Sequence, residues 1–421
     1  MSRVFVWREY EGSLERVGSL ANIDGDIRFS YDDSYEGQAI SFSLPLAKEP
    51  ASTRATACFF SALIPEGTAR KEFARMLHAS ESEFSPFLER LNDESIGALL
   101  FSDTDEEPCR DAAYEAVESG FFDEMAVKPF ETAIATMGKT RLSLSGAMAK
   151  VGLYKSEENG AWFYPLNGAA STHIVKAANS EQFPLETINE ALCLGVAGRM
   201  GLPAAECSLL PVNAGEPLLA VRRYDRGFSN ASREVSGMAS PCRLHQEDFS
   251  QAAGVALKYE PTDGNYLSLI ASVAGAACAN GFGEANLVFE YTLFDYLMGN
   301  CDNHLKNYAL LYDASWSTRE VAPIYDVVST VEYPSVYLEM GISFGGNRRI
   351  DQVSRFAIEQ SAKMCGLPPK MASNALVELH DALAAAVASE ADCIRQQGFL
   401  QVDPLAKAML VGIDQRFKAV S

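Results

Sequence analysis

The run Gly299-Asn300-Cys301-Asp302-Asn303-His304-Leu305-Lys306-Asn307 packs an acid, an imidazole, an ammonium and several amides into nine residues. The run Pro323-Ile324-Tyr325-Asp326-Val327-Val328-Ser329 adds a second acid further on. Phosphoryl transfer from ATP needs one carboxylate to receive a hydroxyl proton and separate oxygen ligands to hold magnesium. Asp302 and Asn307 stand as D-x-x-x-x-N, the separation that chemistry uses for base and metal ligand, and Asp326 follows a strand-like run. On this reading Asp302 is the base, and Lys306 steadies the transferred phosphoryl. Asn307 and Asp326 bind Mg2+ through oxygen, the ligand a hard cation prefers.

A plainer reading makes these residues a helix stop and a solvated loop. Tyr291 to Met298 is an apolar helical run, and Gly299-Asn300 is ordinary stop chemistry. That explains Gly299 and Asn300 but leaves Asp302, His304, Lys306 and Asn307 crowded ahead of the apolar strand Tyr308 to Tyr312. Asp326 has its own alternative, as the cap of a helix begun by Val327-Val328.

The elements that must position these groups are legible from periodicity. Val4 to Trp7, Ile27 to Tyr31 and Ile40 to Leu44 read as strands, and Gly12, Gly18, Gly25 and Gly37 punctuate a small β meander. Helical spacing runs from Thr68 to about Leu91. Asp103 to Asp111 is acidic and reads as a surface connection. Leu142 to Asp225 alternates strands with one helix, Leu185 to Met200, which stops at Gly201-Leu202-Pro203. Leu218 to Val221 is a buried strand. From Gln246 onward the pattern is mainly helical, apart from strand-like segments at 308–312 and 337–344.

A chain of 421 residues with 48% hydrophobic and 22% charged residues can bury a large core, in more than one lobe. Its formal charge of -21 argues against a broad nucleic-acid surface of its own. The nine cysteines are scattered, with no C-x-x-C pair, so neither a zinc site nor a disulfide framework is expected. With a charged amino terminus and no long apolar run, the economical expectation is a reduced, cytoplasmic protein.

Several further segments carry a resemblance. Ser143-Leu144-Ser145-Gly146-Ala147-Met148-Ala149-Lys150, Thr172-His173-Ile174-Val175-Lys176, Asn189-Glu190, Val221-Arg222-Arg223-Tyr224-Asp225-Arg226 and His245-Gln246-Glu247-Asp248-Phe249 follow one another in order. With Leu63-Ile64-Pro65-Glu66-Gly67, Gly97-Ala98-Leu99 and the acidic motifs above, they resemble the HipA-type serine/threonine kinases of bacterial toxin–antitoxin modules. The resemblance spans most of the chain.

It implies an α+β, two-lobed protein-kinase-like fold: a mixed β/α N-lobe and a mostly helical C-lobe, with an extra β-rich N-terminal subdomain. The implied division is 1–138 for the subdomain, 139–226 for the N-lobe and 227–421 for the C-lobe. It implies a phosphate loop in which Ser145, Gly146, Ala147, Met148, Ala149 and Lys150 meet ATP, with Met148 where the family usually has Gln. Lys176 would pair with ATP phosphates, with Glu190 either holding it or standing as a solvated helix residue. The main chain of Arg222, Arg223 and Tyr224 would meet adenine, and Gln246, His304 and Tyr325 align with further nucleotide contacts. Ser143 or Ser145 would be autophosphorylated, silencing the enzyme through like-charge repulsion of ATP. Cys301 stands where Thr is common and is expected buried and inert.

The resemblance further implies ATP and Mg2+ as cofactors and a protein substrate such as glutamyl-tRNA synthetase or another aminoacyl-tRNA synthetase. It also implies a helix-turn-helix antitoxin through which DNA is contacted. A nucleotide-holding pseudokinase or binding module, and a small-molecule kinase, are the alternatives.

Overall fold

A computed structural model describes residues 3–10, 12–81, 83–90, 95–108, 111–141, 148–333 and 338–421. The front of the expected phosphate loop, with Ser143, Ser145, Gly146 and Ala147, lies outside the described residues. The chain forms two compact units. The first comprises Met1–Asn179, Leu210–Glu247 and Leu311–Thr318, and the second Ser180–Leu209, Asp248–Leu310 and Arg319–Ser421.

The first unit opens with an antiparallel sheet in the order β3-β2-β1-β4, where β1 is Val4–Tyr10, β2 Ser13–Ile23, β3 Asp26–Tyr31 and β4 Leu99–Ser102. The long strand β2 runs straight through Gly18, expected from the sequence to punctuate the meander. A side chain there would collide with the Ser30 carbonyl of β3, so this glycine serves close strand approach and not a turn. Ile40 to Leu44, expected as a strand, forms only an isolated bridge between Ser41 and Leu44. Ser41 Oγ and the Phe42 amide instead donate to the buried Glu247 carboxylate, at 2.5 and 2.9 Å. The helix expected over 68–91 is two helices, Gly67–Leu77 and Ser85–Arg90, because His78 turns left-handed and closes the first.

A second sheet carries, in order, the neighbouring strands Ala113–Ala116, Trp162–Leu166, Ala149–Lys155, His173–Ala177 and Leu218–Arg222. Alternate residues Val151, Leu153, Val175, Ala177, Leu218 and Ala220 bury one face with Phe121, Met125 and Ala133 of the helices Phe121–Val127 and Pro129–Thr140. The second of these helices runs through residue 138. Side chains alternate along a strand, so the helix-covered face leaves Lys150 and Lys176 pointing to the other.

The second unit is mainly helical: Glu186–Arg199, Tyr266–Ala277, Gly281–Met298, Arg355–Met364, Pro369–Gln396 and Val402–Val420. Among the described residues, no helix is long and apolar enough to cross a membrane.

Candidate active site

In the second unit the helix Gly281–Met298 ends on Gly299, whose φ of 79° and close neighbour Val331 both require glycine. The loop that follows is built from side chain to main chain. The Asn300 amide nitrogens of main chain and side chain donate to the carbonyl and to Oδ1 of Asp295, both at 2.8 Å. Asn300 Oδ1 in turn accepts from the Asp302 N–H at 3.0 Å. Asn307 Nδ2 donates to the Asp302 carbonyl at 2.8 Å, which closes the loop and leaves Oδ1, the amide's oxygen, for a cation. The five-residue separation of Asp302 and Asn307 thus has a structural cause: a short 3-10 turn, Leu305–Asn307, folds the amide back onto the acid's own backbone.

The Asp302 side chain is 52% exposed, as a group must be to meet an acceptor hydroxyl. His304 is buried, with Nε2 4.0 Å from Asp302 Oδ1. Lys306 lies in the 3-10 turn, and its carbonyl accepts from the Tyr325 hydroxyl at 2.7 Å. Cys301 is buried and its thiol is pushed up to about 11 by burial, so it stays a thiol at neutral pH.

Asp326 has a positive φ of 53°, a costly conformation for a non-glycine residue. No α-helix begins at Val327-Val328, and the next turn, Thr330–Glu332, has Ser329 at its N-cap, so the capping role is not the one Asp326 fills. The segment behind it is fixed by Asn189, whose Nδ2 donates to the Ser329 carbonyl at 3.1 Å while Oδ1 accepts from its N–H at 2.8 Å. Glu190 is 1% exposed, which removes the solvated alternative for it. Among the described residues no three His, Cys, Asp or Glu side chains cluster as a metal cage. One amide and one carboxylate oxygen suit magnesium, which keeps waters and takes substrate phosphates as its other ligands.

In the first unit Lys150 and Lys176 are paired directly across neighbouring antiparallel strands. Residues paired in that register lie on one face of the sheet, so the two side chains share a face. Ala149 is buried and pairs with Ala177, while Met148 is half-buried. Arg222 is exposed, 3.4 Å from Glu157. Arg223 is buried: its guanidinium donates to Asp225 at 2.9 and 2.7 Å, to Ser171 Oγ and to the Ser95 carbonyl. Its N–H already donates to the Thr172 carbonyl at 2.9 Å. Adenine contact by this segment would therefore use other main-chain atoms of residues 222–224.

Asp225 also accepts from the Gly97 N–H at 2.8 Å and lies 3.0 Å from Arg226. The two guanidiniums hold its carboxyl well below the usual carboxylate range against the opposing cost of burial. Tyr224 donates its hydroxyl to Gln246 Oε1, and Gln246 Nε2 reaches Asp225 at 3.3 Å. The Gln246 side chain thus spends both ends on its neighbours and braces the segment.

Three residues that build this loop are not announced by the sequence. Asp295 sits inside the apolar run YTLFDYLM, where a lone acid was itself the available signal. Tyr259 donates its hydroxyl to Asp302 Oδ1 at 2.5 Å from 43 residues away, which no local spacing announces. Gly341 is a third: a Cβ there would come within 2.8–2.9 Å of His304 N and of Asn303 C and O. Its N–H donates to the Cys301 carbonyl and to Asn303 Oδ1 at 2.9 and 2.8 Å. Gly341→Ala is expected to cost about 1–3 kcal/mol by overpacking and to lower turnover with it, as denaturant unfolding and activity assays would record. Wild-type values in both would mean the loop yields at no cost.

Residues 142–387 match the HipA-like C-terminal domain, and residues 9–102 the HipA N-terminal domain. Y4mE of Sinorhizobium fredii, named as a candidate kinase, is 31% identical over 376 residues, 86% of each chain. The serine/threonine-protein kinase toxin HipA of Shewanella oneidensis is 26% identical over 362 residues, 81% of this chain and 78% of that one. The solved complex of Shewanella oneidensis HipA, HipB and operator DNA contains a chain matching at TM-score 0.81 and 20% identity, with 98% of this chain and 97% of that chain covered. The fold is α+β and of the kinase-like class. The matched domains place it further: this chain belongs to the HipA family.

Proposed function

We propose that this protein is an ATP- and magnesium-dependent serine/threonine protein kinase of the HipA toxin type. The observation that carries the reading is the 299–307 loop. It presents a half-exposed Asp302 carboxylate and folds the Asn307 amide back so that its oxygen remains for a cation. When bound, MgATP supplies the phosphoryl group, with the cation offsetting charge on the phosphate oxygens. Asp302 would receive the proton of the acceptor hydroxyl, and Lys306 would offset charge on the moving group. Asn307 and Asp326 would hold magnesium. Lys150 and Lys176 would hold the phosphate chain, with the backbone of Ser145 to Ala149 alongside. Residues 222–224 would meet adenine, and Gln246, His304 and Tyr325 would frame the nucleotide.

On the same reading the substrate is a protein, an aminoacyl-tRNA synthetase such as glutamyl-tRNA synthetase, and its phosphorylation arrests translation in the cytoplasm. The relative from Shewanella oneidensis was solved with HipB and operator DNA, which supports a helix-turn-helix antitoxin partner here and DNA contact through it. Labelled-ATP transfer in a lysate, wild type against Asp302→Asn, tests the reading. Loss of a labelled synthetase band in the variant supports it. Labelled metabolites without labelled protein would point to a small-molecule kinase, and no transfer with intact nucleotide binding to a pseudokinase. Ser143 or Ser145 is the expected self-inactivation site. Mass spectrometry should find phosphate there in the wild type and none in Asp302→Asn, whereas equal phosphate on both rejects autocatalysis.

A further inference from the structure

We infer that Tyr259 is a positioning residue for the Asp302 carboxylate, an inference that rests on the kinase reading above. Its hydroxyl donates to Asp302 Oδ1 at 2.5 Å, the short length of a charge-assisted O–H···O bond. Although Tyr259 is 41% exposed, its backbone is fixed on both sides. Leu305 N–H donates to the Lys258 carbonyl at 3.1 Å, and Glu260 N–H to the Gly341 carbonyl at 2.9 Å. The next side chain, Glu260, is 2% exposed and accepts from Ser343 N–H and Oγ at 2.7 and 3.0 Å. The Tyr259 ring stands edge-to-face against His304, with centroids 5.1 Å apart at 82°. The phenol therefore arrives from a segment laced to the same loop it serves.

A half-exposed aspartate would otherwise sample several rotamers, each presenting its oxygens differently. With Oδ1 held by the phenol, the carboxylate has one orientation, and Oδ2 is left to receive the acceptor proton. Such orientation is worth rate in proportion to the misaligned states it removes. Tyr259 itself exchanges no proton with substrate in this scheme.

The test uses the full chain as wild type, Tyr259→Phe, Asp302→Asn and the double variant. Tyr259→Phe should lower kcat about 10- to 100-fold with KM for ATP within about twofold, and should add almost nothing in the Asp302→Asn background. A purely structural role would cost the same in both backgrounds. A rise in kcat would overturn the inference, since the phenol would then be a plug at the acceptor position. Independently of turnover, the 13Cζ-tyrosine resonance lost in Tyr259→Phe should move in Asp302→Asn. If that resonance stays put, the inference fails whether or not phosphate is transferred. A wild type that transfers none while the resonance moves sinks only the kinase reading.

Discussion

Asp302→Asn should lower the rate of phosphoryl transfer about 10³-fold, roughly 4 kcal/mol on the barrier, with the fold and nucleotide affinity retained. The size follows from what a positioned base contributes, and the selectivity from where Asp302 sits. Its carboxylate is half exposed, so no buried ion is stranded when the charge is removed. The loop's backbone bonds from Asn300 and Asn307 do not involve the replaced group. The proposed magnesium ligands Asn307 and Asp326 and the Lys150–Lys176 pair are untouched, so titration calorimetry with MgADP should return a wild-type dissociation constant. Single-turnover transfer of labelled phosphate is the decisive measurement. Undiminished transfer would remove Asp302 from the role of base; parallel loss of binding would make it a nucleotide ligand.

How much of this was legible from residues alone depends on the range of the forces involved. The loop motif was readable because its chemistry is local: Asn300, Asp302 and Asn307 satisfy one another within a single turn of chain. The helix Glu186–Arg199 and the strand Leu218–Arg222 were readable because burial imposes period and run length. Gly18 misled because a glycine needed for close strand approach looks the same as a glycine needed for a turn. Ile40 to Leu44 misled because its strand-like alternation is spent on Glu247, more than two hundred residues away. Tyr259 reaches Asp302 through chain topology, and topology is the part that periodicity does not encode.

Asp295 lies at the other end of this scale, a single acid in an apolar helix that anchors the loop through Asn300. It is 2% exposed, and burial pushes its carboxyl up to about 7. Hydrogen bonds from Tyr308, at 2.6 Å, and Asn300 pull the other way, and the nearby Asp302 charge adds to the rise. An unfolded aspartate titrates near 3.9, so between about pH 4 and pH 7 the folded chain keeps a proton there that the unfolded chain has released. Stability from this group is then fully present below the unfolded value and declines as pH rises through the window, on the order of 4 kcal/mol in all. That sign is opposite to the one for Asp225, whose depressed carboxyl contributes stability above the unfolded value and loses it toward acid. Asp295→Asn keeps an acceptor for Asn300 and cannot ionise. The difference in unfolding free energy between wild type and variant should therefore move in the variant's favour from pH 4 to pH 7. Denaturant melts across that range measure it, and a difference that stays flat with pH would show that Asp295 does not ionise in the window.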